Sequence, residues 1–268
     1  MIFTILLVTL LPIVTSKSKP YFANPLCQST PPALWCENNE LAKDCGWDLA
    51  CQDYKKGTYN KPILITLLYE SLCPGCQNFI THQLYNQVFL KFPPSVVQIE
   101  LVPYGNAKIK EGEIVCQHGE EECQINKFES CLIDSMNNDF RQYIPVIYCI
   151  ESQLSNKIPF DKAQSKCFRT LNVTSDVERM TQSCLVSKLS TKLQLAAAAR
   201  TDNVQPEKHF AVPWVLFNNV SLASAQDLTA DLPLVICQWY KGDTKPKACA
   251  NDSRTLRRKY PFAWKTDL

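Results

Sequence analysis

Apolar and polar positions change period several times along the 268-residue chain, and each change marks an element. The run "KPILITLLYE" is nearly continuous in apolar side chains, with Ile63, Leu64, Ile65, Leu67 and Leu68, as a strand buried on both faces requires. Directly after it, "CPGCQNFITHQLYNQVFLKF" sets Ile80, Leu84 and Val88 at four-residue steps, with Phe79 and Phe89 near the same face. That spacing predicts an amphipathic helix, stopped by Pro93 and Pro94. "SVVQIELVPYG" predicts a second strand, and strand, helix, strand within this length make a right-handed unit with parallel strands. From about residue 113 to 200 the pattern is helical and irregular, without an evident strand pair. Beyond it come a strand at Trp214–Phe217, a turn at Asn218 and Asn219, a short strand and a helix into Tyr240.

A βαβ half and a ββα half with helices between them predict an α/β, thioredoxin-like fold with a helical insertion over about 113–200. Ahead of it, Cys27, Cys36, Cys45 and Cys51 crowd a segment too short to bury its own core. Two disulfides are the expected staple, and three pairings satisfy four cysteines. Residues 17–57 thus form a small disulfide-rich appendage, and residues 58–249 the main domain. Trp35-Cys36, Ala42, Cys45 and Cys51 resemble the saposin A-type repeat, which implies either an inert stapled cap or a surface for a lipid or protein partner.

Composition narrows the compartment. Residues 1–16, "MIFTILLVTLLPIVTS", read as a signal peptide with cleavage after Ser16, because the apolar run is short and ends in small residues. A bilayer span needs about 20 apolar residues, and no segment of the chain reaches that length. The 14 cysteines fit an oxidising compartment. Three sequons, at Asn172, Asn219 and Asn251, agree with glycosylation in the secretory route. A net charge of +2 speaks against a nucleic-acid partner. The basic tail, residues 250–268, carries Arg254, Arg257 and Arg258 as sites for proteolytic trimming, or is simply a terminus.

The chemistry centres on "YESLCPGCQNF". A Cys-x-x-Cys pair can be half a zinc site, a tight structural disulfide or a working dithiol. Zinc needs further ligands, and the nearest, Cys116 and His118, do not form a second such pair. Between a buried strand and an amphipathic helix, the pair fits the dithiol reading. Cys73 falls at the helix N-cap and Pro74 at its first position, where a missing N–H is harmless. Unpaired backbone N–H groups there lower a thiol from about 8.5 to roughly 3.5–7.5. Cys73 is therefore the expected nucleophile and Cys76, one turn later, the resolving thiol. Gly75 leaves room for a substrate backbone. By analogy with the fold, Pro213 in "VPW" is an expected cis-proline facing the dithiol, and Val212 the residue that pairs with an extended substrate.

The string "CQHGEEECQINKFESC", with Cys116, Gln117, His118, Gly119, Glu122, Cys123, Asn126 and Cys131, resembles the signature of the gamma-interferon-inducible lysosomal thiol reductase family. "LYESLCPGC", "VPWV" and "CQWYKGDTKPKAC" extend the likeness over roughly Lys61 to Cys249. The resemblance implies reduction of protein disulfides at acidic pH in the endosomal–lysosomal lumen, or after secretion, with an external thiol as reductant and no bound cofactor or metal. The signature itself reads as bracing for the insertion, with His118 the member able to tune the dithiol. Alternatives are a disulfide oxidase or isomerase, and a non-enzymatic glycoprotein that binds a partner or lipid.

Overall fold

The computed structural model describes residues 26–29, 36 and 38–250. The expected leader, Trp35, the Asn251 sequon and the arginines of the tail lie outside the described residues. Two compact units divide between Tyr54 and Lys55, where the sequence reading set its boundary at residue 57.

The first unit holds helices α1 (Leu26–Ser29) and α2 (Asn39–Asp44) and the first part of α3 (Asp48–Thr58), which continues past the boundary. Asn38 caps α2 by accepting the N–H groups of Glu40 and Leu41. Of the three pairings open to its cysteines, the structure has Cys27–Cys45 and Cys36–Cys51. Cys27, Ala42, Cys45 and Cys51 are buried, a core that consists largely of its own staples.

The second unit is built on a five-stranded sheet in the order β2-β1-β6-β7-β5. Strand β1 (Ile63–Tyr69) lies parallel to β2 (Val97–Pro103), with Ile63 opposite Val97 and Tyr69 opposite Pro103. On its other edge β1 runs antiparallel to β6 (Trp214–Phe217), with Leu68 opposite Trp214. Asn218 and Asn219, both in the left-handed region at φ 50° and 66°, turn β6 back into β7 (Val220–Ser221). Strand β5 (Gln205–Pro206) closes the far edge against β7. The βαβ and ββα halves share this one sheet, and the fold is thioredoxin-like.

Alternation along β1 sends its side chains to two layers. Ile63, Ile65, Leu67 and Tyr69 pack with Ile80, Leu84 and Val88, and with Val235 and Ile236 of α10 (Leu232–Trp239). Leu68 faces the other way, toward Trp214, Leu216 and the small Ala197 and Ala198 of α9 (Lys188–Asp202). Arg200 of α9 reaches Glu100 at 2.8 Å and Thr66 at 3.3 Å, tying that helix to β2 and β1.

Three features depart from the sequence reading. The segment after the dithiol begins as α4 (Pro74–Asn78) but continues as a π-helix over Phe79–Phe89. Polar side chains take up backbone carbonyls there, Thr81 bonding to the Gln77 carbonyl and Asn86 to that of Thr81, which supports the wider winding. A strand pair leads into the insertion, β3 (Lys108–Lys110) ahead of it and β4 (Glu113–Val115) at its start, joined through Glu111 and Gly112 at positive φ. These strands are three residues long and largely exposed, so no alternation betrays them. The helices proper are α5 (Glu120–Ser135), α6 (Phe140–Ser155), α7 (Phe160–Thr170), α8 (Ser175–Leu185) and α9. A second cis X-Pro bond, Gln205–Pro206, had no counterpart in the sequence reading.

Candidate active site

Cys73 leaves β1 in extended conformation, at φ −73° and ψ 117°, and caps α4 with Pro74 at the first position. Pro74 supplies a helical φ without an orphaned donor, so the backbone N–H groups of Gly75 and Cys76 turn toward the Cys73 sulfur. Cys73 is half-buried and Cys76 fully buried; among the described residues they are the free cysteines. Across the site the Val212–Pro213 peptide is cis, and the Cys73 thiol points at the Val212 carbonyl oxygen, 3.9 Å away. A Cβ on Gly75 would meet Pro213 Cδ at 3.4 Å, an ordinary contact, so Pro213 covers that turn. Cys73, Cys76, Val212 and Pro213 are thus brought together from two ends of the chain.

The electrostatics separate the two sulfurs. A hydrogen bond from the Cys76 thiol lowers Cys73 to about 6, with burial opposing it and the backbone N–H groups of Cys76 and Gly75 and the charge on His118 assisting. Cys76 is pushed far upward by its bond to Cys73 and by burial. One sulfur is a ready anion and the other keeps its proton.

The signature segment faces this turn as well as the insertion. Cys116 and Cys123 form one disulfide, and Cys131 is joined to Cys184, which staples α5 to α8. Gly119 starts α5 at φ 91°, a conformation that costs glycine little. Asn126 accepts the backbone N–H of Ser71 at 3.0 Å, and Gln117 accepts from Asn106 at 2.7 Å. Glu122 binds His118 twice, through the backbone N–H at 3.0 Å and through Nδ1 at 2.6 Å. The signature therefore holds the loop that carries Cys73, a role the expectation of simple bracing missed.

Sequence reasoning also passed over Glu70. It is fully buried, accepts the Asn106 N–H at 2.7 Å, and lies 3.5 Å from His118 Nδ1. Glu70, His118 and Glu122 bring donor atoms within 4.8 Å of one another. Both oxygens of Glu122 are engaged by His118, while Glu70 Oε2 is buried without a hydrogen-bond partner. Its sequence signal was a single carboxylate closing a buried strand.

The sequons lie apart from the dithiol's contacts. Asn172 is exposed at φ 50°, and Asn219 is exposed on the β6–β7 turn with Oδ1 accepting from Arg200.

The chain resembles known proteins along most of its length. The family model for gamma interferon inducible lysosomal thiol reductase matches residues 64–171, which includes the dithiol and the signature. A gamma-interferon-inducible lysosomal thiol reductase of Carassius auratus is 32% identical over 235 residues, covering 86% of this chain and 87% of the relative. A gamma-interferon-responsive lysosomal thiol protein of Arabidopsis thaliana is 36% identical over 208 residues, 77% and 83% of the two chains. The chain belongs to the gamma interferon inducible lysosomal thiol reductase family. A mouse member, from Mus musculus, is 30% identical over 201 residues, 74% of this chain and 75% of the relative. In this member of the family, no helix among the described residues is long and apolar enough to cross a membrane.

Proposed function

We propose that this chain is a thiol–disulfide oxidoreductase that reduces disulfides in protein substrates, working in acid within the endosomal–lysosomal lumen or after secretion. The observation that carries the reading is the Cys73 sulfur at the start of α4, lowered to about 6 while Cys76 remains protonated. Family membership and the relatives' names support the reductive direction.

The Cys73 thiolate attacks one sulfur of a substrate disulfide, forming a mixed disulfide and releasing the first substrate thiol. Cys76 then attacks Cys73, closing the Cys73–Cys76 bond and releasing the second. Val212 offers backbone hydrogen bonds to an extended substrate segment, and Pro213 lines the same surface. An external thiol regenerates the dithiol, and no bound cofactor or metal takes part. A thiol lowered this far keeps a useful anionic fraction in mild acid, where an ordinary thiol has almost none. Sugar on Asn172, Asn219 and Asn251 would suit that lumen. We read the disulfide-rich N-terminal segment as a stapled cap, with contact to a lipid or protein partner as the alternative.

Insulin reduction at about pH 4.5 and about pH 7, comparing the wild type with Cys73→Ser, tests the reading. Turnover by the wild type and its loss in the variant are expected. Equal rates for the two would overturn it.

A further inference from the structure

In the sequence the nearest partners for a zinc-binding dithiol were Cys116 and His118. The structure joins Cys116 to Cys123 in a disulfide and turns His118 toward two carboxylates instead. Glu70 follows β1, and His118 and Glu122 bracket the start of α5, so the three are brought together from separate elements. Their donor atoms lie within 4.8 Å of one another.

Each carboxylate is held by one oxygen and presents the other to the imidazole. Glu70 Oε1 accepts the Asn106 N–H at 2.7 Å, and Glu122 Oε1 accepts the His118 N–H at 3.0 Å. The remaining oxygens flank Nδ1, Glu122 Oε2 at 2.6 Å and Glu70 Oε2 at 3.5 Å. Gly105 fixes the stem of Glu70, since a Cβ there would fall 2.4 Å from Glu70 Cγ. Hydrogen bonds that orient carboxylates in this way are the outer support a metal site needs.

A proton alone does not satisfy the cluster. An N–H on Nδ1 serves Glu122 Oε2, and Glu70 Oε2 is then left fully buried without a hydrogen-bond partner. An oxygen in that position is unfavourable. A cation engages both carboxylate oxygens and the nitrogen lone pair together.

We propose that Glu70, His118 and Glu122 form a site for a divalent transition-metal cation of the zinc type. Glu70 Oε2, His118 Nδ1 and Glu122 Oε2 are its ligands, with solvent in the open position. One imidazole and two carboxylates suit zinc, whereas calcium and magnesium take oxygen ligands. Zinc holds such donors at about 2.0–2.2 Å in a tetrahedron, which sets them about 3.3 Å apart. The 3.5 Å between His118 and Glu70 fits that spacing, and the 2.6 Å between His118 and Glu122 opens by less than about 1 Å once the metal replaces the proton. Both carboxylates are buried and His118 is part-exposed, so the ion enters from the imidazole side. Once bound, it ties the end of β1 to the start of α5 beside Cys73, whose N–H bonds to the Glu70 carbonyl at 3.3 Å. The site stands outside the thiol–disulfide exchange and does not depend on that reading.

The test is zinc binding by the full chain, free of any polyhistidine tag and with the Cys73–Cys76 disulfide closed. That form leaves none of the 14 cysteines as a thiol, so sulfur does not compete for the metal. Calorimetry in excess magnesium is expected to give one zinc per chain, with binding at least about tenfold weaker in Glu70→Gln and in His118→Ala. The second variant alters a part-exposed side chain and stays readable should the buried one fail to fold. A wild type that binds no zinc overturns the proposal and leaves the three residues as an ion-pair cluster. Wild-type affinity in either folded variant overturns it equally, because the ion then sits elsewhere. Failure of the dithiol reading shows separately, as an ordinary alkylation profile for Cys73.

Discussion

Glu70 occupies the space that a side chain on Gly105 would need: a Cβ there would fall 2.4 Å from its Cγ, with the Gly105 backbone at φ +58°. The contact joins the end of β1 to the turn after β2, and both strain and overlap oppose any larger residue. Gly105→Ala is expected to lower stability by about 1–3 kcal/mol in urea unfolding. An unchanged midpoint would show that the carboxyl is free to move, and its assigned place would be wrong.

A second buried carboxyl site links α5 to α6. Tyr69 donates to Glu129 at 2.6 Å, and Glu129 and Glu151 share an environment closed to water. Burial raises Glu129, and burial with the charge on Glu129 raises Glu151, so the folded protein binds these protons more tightly than the unfolded chain does. The Glu129 contribution to stability is full below the ordinary carboxylate range and is lost as pH rises through about 7, and burial of Glu151 acts in the same direction. The disulfide form should therefore unfold at lower urea at about pH 8 than at about pH 5, and Glu129→Gln should flatten that slope. A midpoint that climbs with pH would contradict the sign.

The staples of the insertion should rank by the loops they close. Cys131–Cys184 spans 53 residues and Cys116–Cys123 spans 7. The chain-entropy relation gives about 4 kcal/mol for the first and about 2.5 kcal/mol for the second. Paired Cys→Ala variants measured by urea unfolding should keep that order. A larger loss from the Cys116–Cys123 pair would mean that it acts on the folded site rather than on the unfolded chain.

Much of this arrangement is legible in the sequence because it is local. The apolar run at Ile63–Tyr69, the Asn218–Asn219 turn and the placing of Cys73 at a helix start each follow from neighbouring residues. Glu70 is different. Its burial depends on Gly105, Asn106 and His118, which lie 35 to 48 positions away and are brought close only by the sheet and α5. The π-winding of Phe79–Phe89 was equally hidden, since Ile80, Leu84 and Val88 point inward under either helical winding. The hairpin of β3 and β4 left no trace in the hydrophobic pattern because it buries almost nothing.

The central claim is that the start of α4 and the Cys76 thiol hold the Cys73 sulfur as an anion. Iodoacetamide alkylation of the reduced protein across pH, followed residue by residue by mass spectrometry, tests it directly. Cys73 should titrate with a midpoint of about 6 and Cys76 should stay unreactive over the same range. A Cys73 midpoint near the ordinary thiol value of about 8.5 would contradict the account.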